Sequence, residues 1–293
     1  MELDHAFRHE IELKLQDRNE HKVRIKAITA VQGGDTHAAW EVETERETYF
    51  MKTAQDIPAD LFAKEYNGLS WLRQQMALLV AEPLSYGNQD NLHYLLTTFI
   101  PKGPAASDFW KIFAKGLAGL HRCTWDHFGW EEDNYIGPLP QSNATFDNWC
   151  DFFVSQRLQP LIVSCIEKKL LEKKYGELAL HLYKRMPDIF PEEPPALLHG
   201  DLWGGNYLSG PGGQPYLFDP AIYYGSREMD LAMTRLFGGF DRQFYWHYEE
   251  YFPLAADWQK RISLCQLYPL LVHSLLFGGG YVQQVRRILE EYG

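Results

Sequence analysis

His199-Gly200-Asp201-Leu202-Trp203-Gly204-Gly205-Asn206, followed by Phe218-Asp219-Pro220, brings two carboxylates and an amide into an order suited to phosphoryl transfer. Asp201 and Asn206 stand in the pattern H-x-D-x-x-x-x-N, and Asp219 closes a short apolar run expected as a strand from Pro215 to Phe218. An Asp on such a loop can orient a substrate hydroxyl and take its proton. An amide oxygen and a second Asp can hold the magnesium that bridges nucleotide phosphates. A free Asp titrates near ~3.9, so Asp201 is ionised at neutral pH and only a weak base; position must carry its effect. His-Gly-Asp alone is also a common turn sequence. That explanation leaves the joint spacing of Asp201, Asn206 and Asp219 to accident.

A partner for the phosphates is expected upstream. Lys52 lies on the strand-like run Tyr49-Phe50-Met51-Lys52, where its ammonium can bind the α- and β-phosphates of ATP. Glu65 shares a predicted helical face with Leu61, Leu69 and Leu72. A carboxylate in an apolar stripe requires a counter-charge, so Lys52 and Glu65 are expected to pair. Gly33 and Gly34, between two predicted strands, can free backbone N–H groups for phosphate oxygens, although the loop lacks G-x-G-x-x-G and also reads as a plain hairpin turn.

The elements that must position these residues divide into two lobes. A helix over 1–15, strands over 22–31, 37–42 and 48–52, a helix over 58–75, and strands near Leu79 and over 92–98 make a small antiparallel sheet with a helix. This nucleotide-binding lobe is expected over 1–100. Pro101-Lys102-Gly103-Pro104 can continue neither strand nor helix and reads as a hinge. The catalytic and acceptor-binding lobe follows over 105–293, mainly helical, with helices over 107–123, 146–165, 168–185 and beyond Asp230. The fold class is therefore α+β, with the nucleotide between two lobes and adenine expected along Thr97 to Ile100, at Thr97 and Phe99. Ser209 to Gly213 reads as a turn between short strands, and Gly278-Gly279-Gly280 as a break between helices.

Composition narrows the partners. A chain of 293 residues, 45% hydrophobic and 23% charged, can bury a sizeable core. A net charge of -11 argues against nucleic acid or an anionic membrane and suits cationic amines. The first residues are too charged for a signal peptide, and the apolar stretch Leu264 to Phe277 contains Gln266 and His273, so it reads as a buried helix; a cytoplasmic protein is expected. Cys123, Cys150, Cys165 and Cys265 form no C-x-x-C pair, and the histidines show no zinc spacing; magnesium is the only metal implied.

The string HGDLWGGN with LFDPAIYYGSREMDLAMTRLFGGF, together with FGWEEDNYIGPLPQSN over 128–143 and Trp149, Arg157, Leu158 and Pro160, resembles the fructosamine-3-kinase, or ketosamine kinase, family from about Gly33 to Phe240. That family shares the aminoglycoside phosphotransferase and protein-kinase-like fold. The resemblance implies Asp201 as base, Asn206 and Asp219 as magnesium ligands, Lys52 with Glu65 at the phosphates, and Asp230, with His199, as support for the loop. It implies ATP as donor and a ketosamine as acceptor, phosphorylated on its 3-hydroxyl, with release of amines or protein amines from glycation. The glycine loop departs from some eukaryotic members in carrying Asp35 where they have a reactive Cys, so redox control there is not expected. Trp203 can pack its indole on the sugar or its amine, or between loop and helices. His121 reads as a satisfied interior histidine. The same catalytic set serves kinases of aminoglycosides, choline and related amino alcohols. A nucleotide-binding pseudokinase would lack a metal or base position, and here all are filled.

Overall fold

Period-two burial along one strand sets the layout of the first unit. The computed structural model describes residues 5–18, 22–31 and 37–293. The chain forms two compact units, Met1–Phe109 with Leu208–Asp219, and Trp110–Tyr207 with Pro220–Gly293. The first unit contains α1 (His5–Arg18), β1 (Ile25–Val31), β2 (Ala38–Thr44), β3 (Thr48–Ala54), α2 (Leu61–Gln74), β4 (Leu79–Val80), β5 (Pro83–Gln89) and β6 (Leu92–Thr98). An antiparallel sheet runs in the order β1-β2-β3-β6-β5.

Tyr49, Met51 and Thr53 of β3 are buried. Tyr49 and Met51 join Tyr94 and Leu96 of β6 in a core covered by Phe7, Ile11 and Leu15 of α1. Because strand side chains alternate, Phe50 and Lys52 point to the opposite face. Strand β3 extends to Ala54, past the expected end at Lys52, and β5 was not expected at all. The returning segment adds Pro215–Leu217, which pairs in parallel with β4 through Tyr216↔Leu79 and Leu217↔Val80. Gly103 N–H donates to the Ser209 carbonyl at 2.8 Å, tying the proline-rich segment to this return.

The second unit is mainly helical: Phe109–Leu120 enters it, followed by Trp149–Phe152, Gln159–Glu167, Lys173–Ile189, Glu228–Leu236, Arg242–Tyr251, Trp258–Phe277 and Gly280–Tyr292. Phe153, Leu182, Leu264, Leu271, Val285 and Leu289 lie in its core. Between the second and third of these helices, Phe153–Leu158 forms a π-helical turn. Pro160 supplies the reason: it has no N–H for the Gln156 carbonyl, and its ring would crowd that carbonyl in a regular turn. The guanidinium of Arg157 takes the acceptor instead, at 3.2 Å. Two short antiparallel pairs complete the unit, Ala196–Leu198 with Tyr223–Gly225, and Asn134–Ile136 with Leu139–Gln141. Among the described residues no helix is long and apolar enough to cross a membrane.

Candidate active site

On the face of β3 opposite Met51, Lys52 lies between two carboxylates. Its Nζ is 2.7 Å from Glu65 Oε1 and 2.5 Å from Asp219 Oδ1. The Lys52 and Glu65 side chains are only 11% and 12% exposed, so these charges face little solvent screening. Burial alone would lower the Lys52 pKa, but the Asp219 and Glu65 charges outweigh it and hold the ammonium above its usual range. Glu65 is pushed up by burial first and by the like charge of Asp219, against the pull of Lys52. His37 stands at the edge of this cluster with its ring 5.3 Å from that of Phe62. Burial, then the Lys52 charge, depresses its pKa to about 4. Asp219 adopts a left-handed backbone with φ 57°. That conformation is uncommon outside glycine and more accessible to Asp than to most residues, and such backbone is often found at functional sites.

Thr97 is buried in β6 opposite Phe50, and Phe99 follows the strand's end, half-buried. Gly33, Gly34 and Asp35 lie outside the described residues.

In the second unit, the loop from His199 to Asn206 leaves the strand Ala196–Leu198 and is held by its neighbours' hydrogen bonds. Asp230, 1% exposed, accepts the His199 N–H at 2.8 Å on Oδ2 and the Gly200 N–H at 3.0 Å on Oδ1. His121 Nε2 meets the same carboxylate at 3.2 Å, with Tyr248 Oη 2.7 Å from its Nδ1. Burial works to raise the Asp230 pKa, but the hydrogen bond and charge of His121, with the His199 contributions, bring it below the ordinary carboxylate value. Gly200 has φ +83°, and a Cβ there would fall 1.9 Å from the Ala221 carbonyl oxygen, so only glycine fits.

Asn206 donates from Nδ2 to the Asp201 carbonyl at 2.8 Å and to Asp201 Oδ2 at 2.9 Å. Its amide nitrogen is thereby turned toward Asp201 and its amide oxygen away. Trp203 is half-buried and meets Phe237 edge-on at 5.7 Å. Beside Gly200 and Asp201 lies an apolar cavity of about 20 Å³, lined in part by Ile136, Tyr223, Met233, Tyr268 and His273. It has room for about one water molecule.

Behind this cavity lies a buried polar network that the sequence reading did not assign. Gln141 Nε2 donates to Asn134 Oδ1 at 2.7 Å and to the Ala221 carbonyl at 3.1 Å, while its Oε1 accepts the Tyr268 hydroxyl at 2.6 Å. Asn134 Nδ2 donates to the Ile222 carbonyl at 2.8 Å. Asn143 joins Asn134 and accepts from Arg157 at 2.6 Å. Arg157 is fully buried, and its guanidinium carbon lies 4.1 Å from the Tyr223 ring centre and 4.6 Å from that of Phe152. These amides therefore fix the backbone just beyond Asp219-Pro220, and the Ala221 N–H is in turn bound to the His199 carbonyl at 2.9 Å. Burial raises the Tyr268 phenol to about 12, partly offset by the Arg157 charge.

A sequence profile described as fructosamine kinase matches residues 7–292. The chain belongs to the fructosamine kinase family. Relatives of this fructosamine kinase family member include a probable ketoamine kinase of Enterococcus faecium, 36% identical, with 92% of this chain and 96% of the relative covered. A probable ketoamine kinase of Synechocystis is 35% identical over 92% of this chain and 90% of its own. A crystal structure of a candidate fructosamine-3-kinase from Haemophilus somnus superimposes with a TM-score of 0.87 at 27% identity, covering 96% of each chain. An aminoglycoside phosphotransferase, at 15% identity and a TM-score of 0.61 over 96% of this chain and 98% of its own, shares the fold. The α+β, protein-kinase-like class expected for the family member is the class observed.

Proposed function

We propose that this fructosamine kinase family member transfers the γ-phosphoryl group of ATP to the 3-hydroxyl of a ketosamine. The observation that carries the reading is the Asp201–Asn206 pair: a carboxylate oriented by an amide, on a loop whose backbone is bound by Asp230. Asp201 is the base that accepts the sugar hydroxyl proton, and its orientation matters more than its basicity because proton loss is late in a loose transition state. Lys52 contacts the phosphate oxygens, with Glu65 holding the ammonium in place. Gly33 and Gly34 are assigned to the phosphates from the sequence alone, and Thr97 and Phe99 to adenine. Trp203 packs on the acceptor, with His199 and Asp230 supporting the loop.

Asp219 and the Asn206 amide oxygen are the groups that would hold magnesium. Their hard oxygen donors suit that ion, which takes its remaining ligands from phosphates and water. When bound, the metal neutralises charge on the phosphates. Among the described residues no cluster of three or more His, Cys, Asp or Glu is placed to hold a metal ion, and a site with two protein ligands needs none.

A phosphate on the C3 oxygen lies next to the C2 carbonyl. Enolisation toward C1 then lets the C3–O bond break, expelling inorganic phosphate, and hydrolysis of the resulting adduct frees the amine. Deglycation of amines or protein amines follows as the biological role. Protein and Mg-ATP incubated with ribulose-, erythrulose- and fructose-amine adducts should yield ADP, a phosphorylated intermediate and free amine by mass. Turnover of choline or an aminoglycoside with every ketosamine inert would overturn the assignment.

A further inference from the structure

The helix Arg242–Tyr251 has two unlike faces. Phe244 and Tyr248 are buried, whereas Arg242, Trp246 and Glu249, at i, i+4 and i+7, line up on an exposed face. With Arg235, Tyr245 and the segment from Leu254 to Gln259, that face lines a groove of about 580 Å³, a volume typical of small-molecule sites. The Arg235 guanidinium carbon lies 4.5 Å from the Tyr245 ring centre and 4.7 Å from that of Trp258, so aromatic contact holds its plane. Thr234 Oγ1, 2.9 Å from Tyr245 Oη, fixes the phenol in turn. A hydrogen bond to the Tyr245 hydroxyl uses only part of the Arg235 donor set. Trp246 is 66% exposed and forgoes the burial that an indole normally gains.

Charge in this groove is unevenly committed. Elsewhere in the same unit Arg227 and Arg261 pair with Glu193 and Glu228 at 2.7 and 2.6 Å. Among the described residues neither Arg235 nor Arg242 is in an ion pair, although the chain carries a net charge of -11. The carboxylates lining the groove have other partners: Glu249 accepts the Leu254 N–H at 3.2 Å, and Asp257 meets Lys260 at 3.0 Å. We propose that this groove is a second ligand site, away from the Asp201 loop, that takes a nucleoside monophosphate. The phosphate accepts from both guanidiniums, whose planar forks match its oxygens. The base stacks on the exposed Trp246 indole. The ribose hydroxyls donate to lone pairs that Glu249 and Asp257 keep after their own contacts. Inorganic phosphate would leave the indole bare, and an uncharged nucleoside would leave the guanidiniums unpaired. Trp258 lines the groove and His273 the cavity beside Asp201, and along their common helix the two lie about 22 Å apart. A nucleotide held there takes no part in phosphoryl transfer.

The test is titration calorimetry of the full chain with UMP, GMP, uridine and inorganic phosphate, in wild type, Arg242→Gln and Trp246→Ala. Both residues are exposed, so the variants should keep the wild-type Tm. UMP and GMP should bind wild type more tightly than uridine or phosphate does. Each variant should weaken them at least about fivefold, the scale of one lost charge-assisted hydrogen bond or one lost base–indole stack. Nucleotide binding unchanged in both variants would lie elsewhere on the molecule and overturns the site, as does the absence of saturable binding at millimolar UMP and GMP. Inorganic phosphate binding as tightly as the nucleotides overturns the assignment of the ligand class.

Discussion

The two units of this protein hold their carboxylates by different means. In the first unit, Lys52 is clamped between Glu65 and Asp219, a cluster of full charges with limited exposure. In the second, Asp201 is oriented by the Asn206 amide, and its loop by backbone N–H groups donating to Asp230. A charged cluster would suit the proposed phosphate-binding side, because the oxygens of a polyanion are themselves strong charge-assisted partners for the Lys52 ammonium. An amide-bound loop would suit the proposed base, since a neighbouring ammonium would lower the basicity of that carboxylate further.

The strongest test of this contrast is Asp201→Asn. It should fold, bind Mg-ATP, and lose on the order of 10²- to 10⁴-fold in turnover. Nucleotide affinity by calorimetry and single-turnover rates separate the two effects, and equal losses in both would remove Asp201 from the acceptor side. Asp219→Asn should instead shift the magnesium concentration needed for half-maximal rate, roughly tenfold or more for one lost charged ligand. A magnesium titration identical to wild type would take Asp219 out of the metal site.

A smaller effect is expected within the cluster itself. Lys52→Met and Glu65→Gln, scored for ATP affinity, should be non-additive by ~1–3 kcal/mol because the two groups touch. Additivity within ~0.5 kcal/mol would mean that the pair does not act as a unit. On the other side, Tyr268→Phe removes one hydroxyl from Gln141 and should cost about 1–2 kcal/mol in urea unfolding. If stability instead stayed at the wild-type value, the network would not be anchoring the Ala221 segment.

The subtlest expectation concerns pH. His37 has a folded pKa of about 4 against an ordinary 6.5, so the unfolded chain binds the proton more readily between those values. Its contribution is complete above pH 6.5 and is lost as pH falls toward 4. Denaturation of wild type and His37→Gln across that window should give a flatter profile for the variant, and parallel profiles would show that His37 is not buried as a neutral ring.

Legibility in the sequence followed the same division. The Lys52–Glu65 contact was readable because a charge in the stripe of Leu61, Leu69 and Leu72 has one economical solution. That Asp219 also binds Lys52 was not readable, since no periodicity links residues so far apart in sequence. Strand β5 escaped because Pro83, Gly87 and Asn88 are turn residues, and only pairing with β6 makes them a strand. Asn134, Gln141 and Asn143 sit among prolines and glycines with no chemistry read from the sequence, whereas the structure buries all three. Their signal was chemical: uncharged amides near a lone Arg157, which can satisfy backbone carbonyls without adding charge. The α+β, two-lobed layout was legible because helix and strand periods change sharply near Pro101, whereas the protein-kinase-like class was legible through the family resemblance of the HGDLWGGN string.

The return of Leu208–Asp219 to the first unit has a consequence for biosynthesis. When Phe109 leaves the ribosome, β4 still lacks its parallel neighbour Pro215–Leu217, and Lys52 still lacks its second carboxylate. At ~5–20 residues per second, the remaining stretch to Asp219 takes roughly 5–20 s to make. During that interval β4 has no strand to pair with, and the Lys52–Asp219 contact cannot form. A half-made chain is therefore unable to form the complete Lys52 cluster, which comes together only after much of the second unit has been translated.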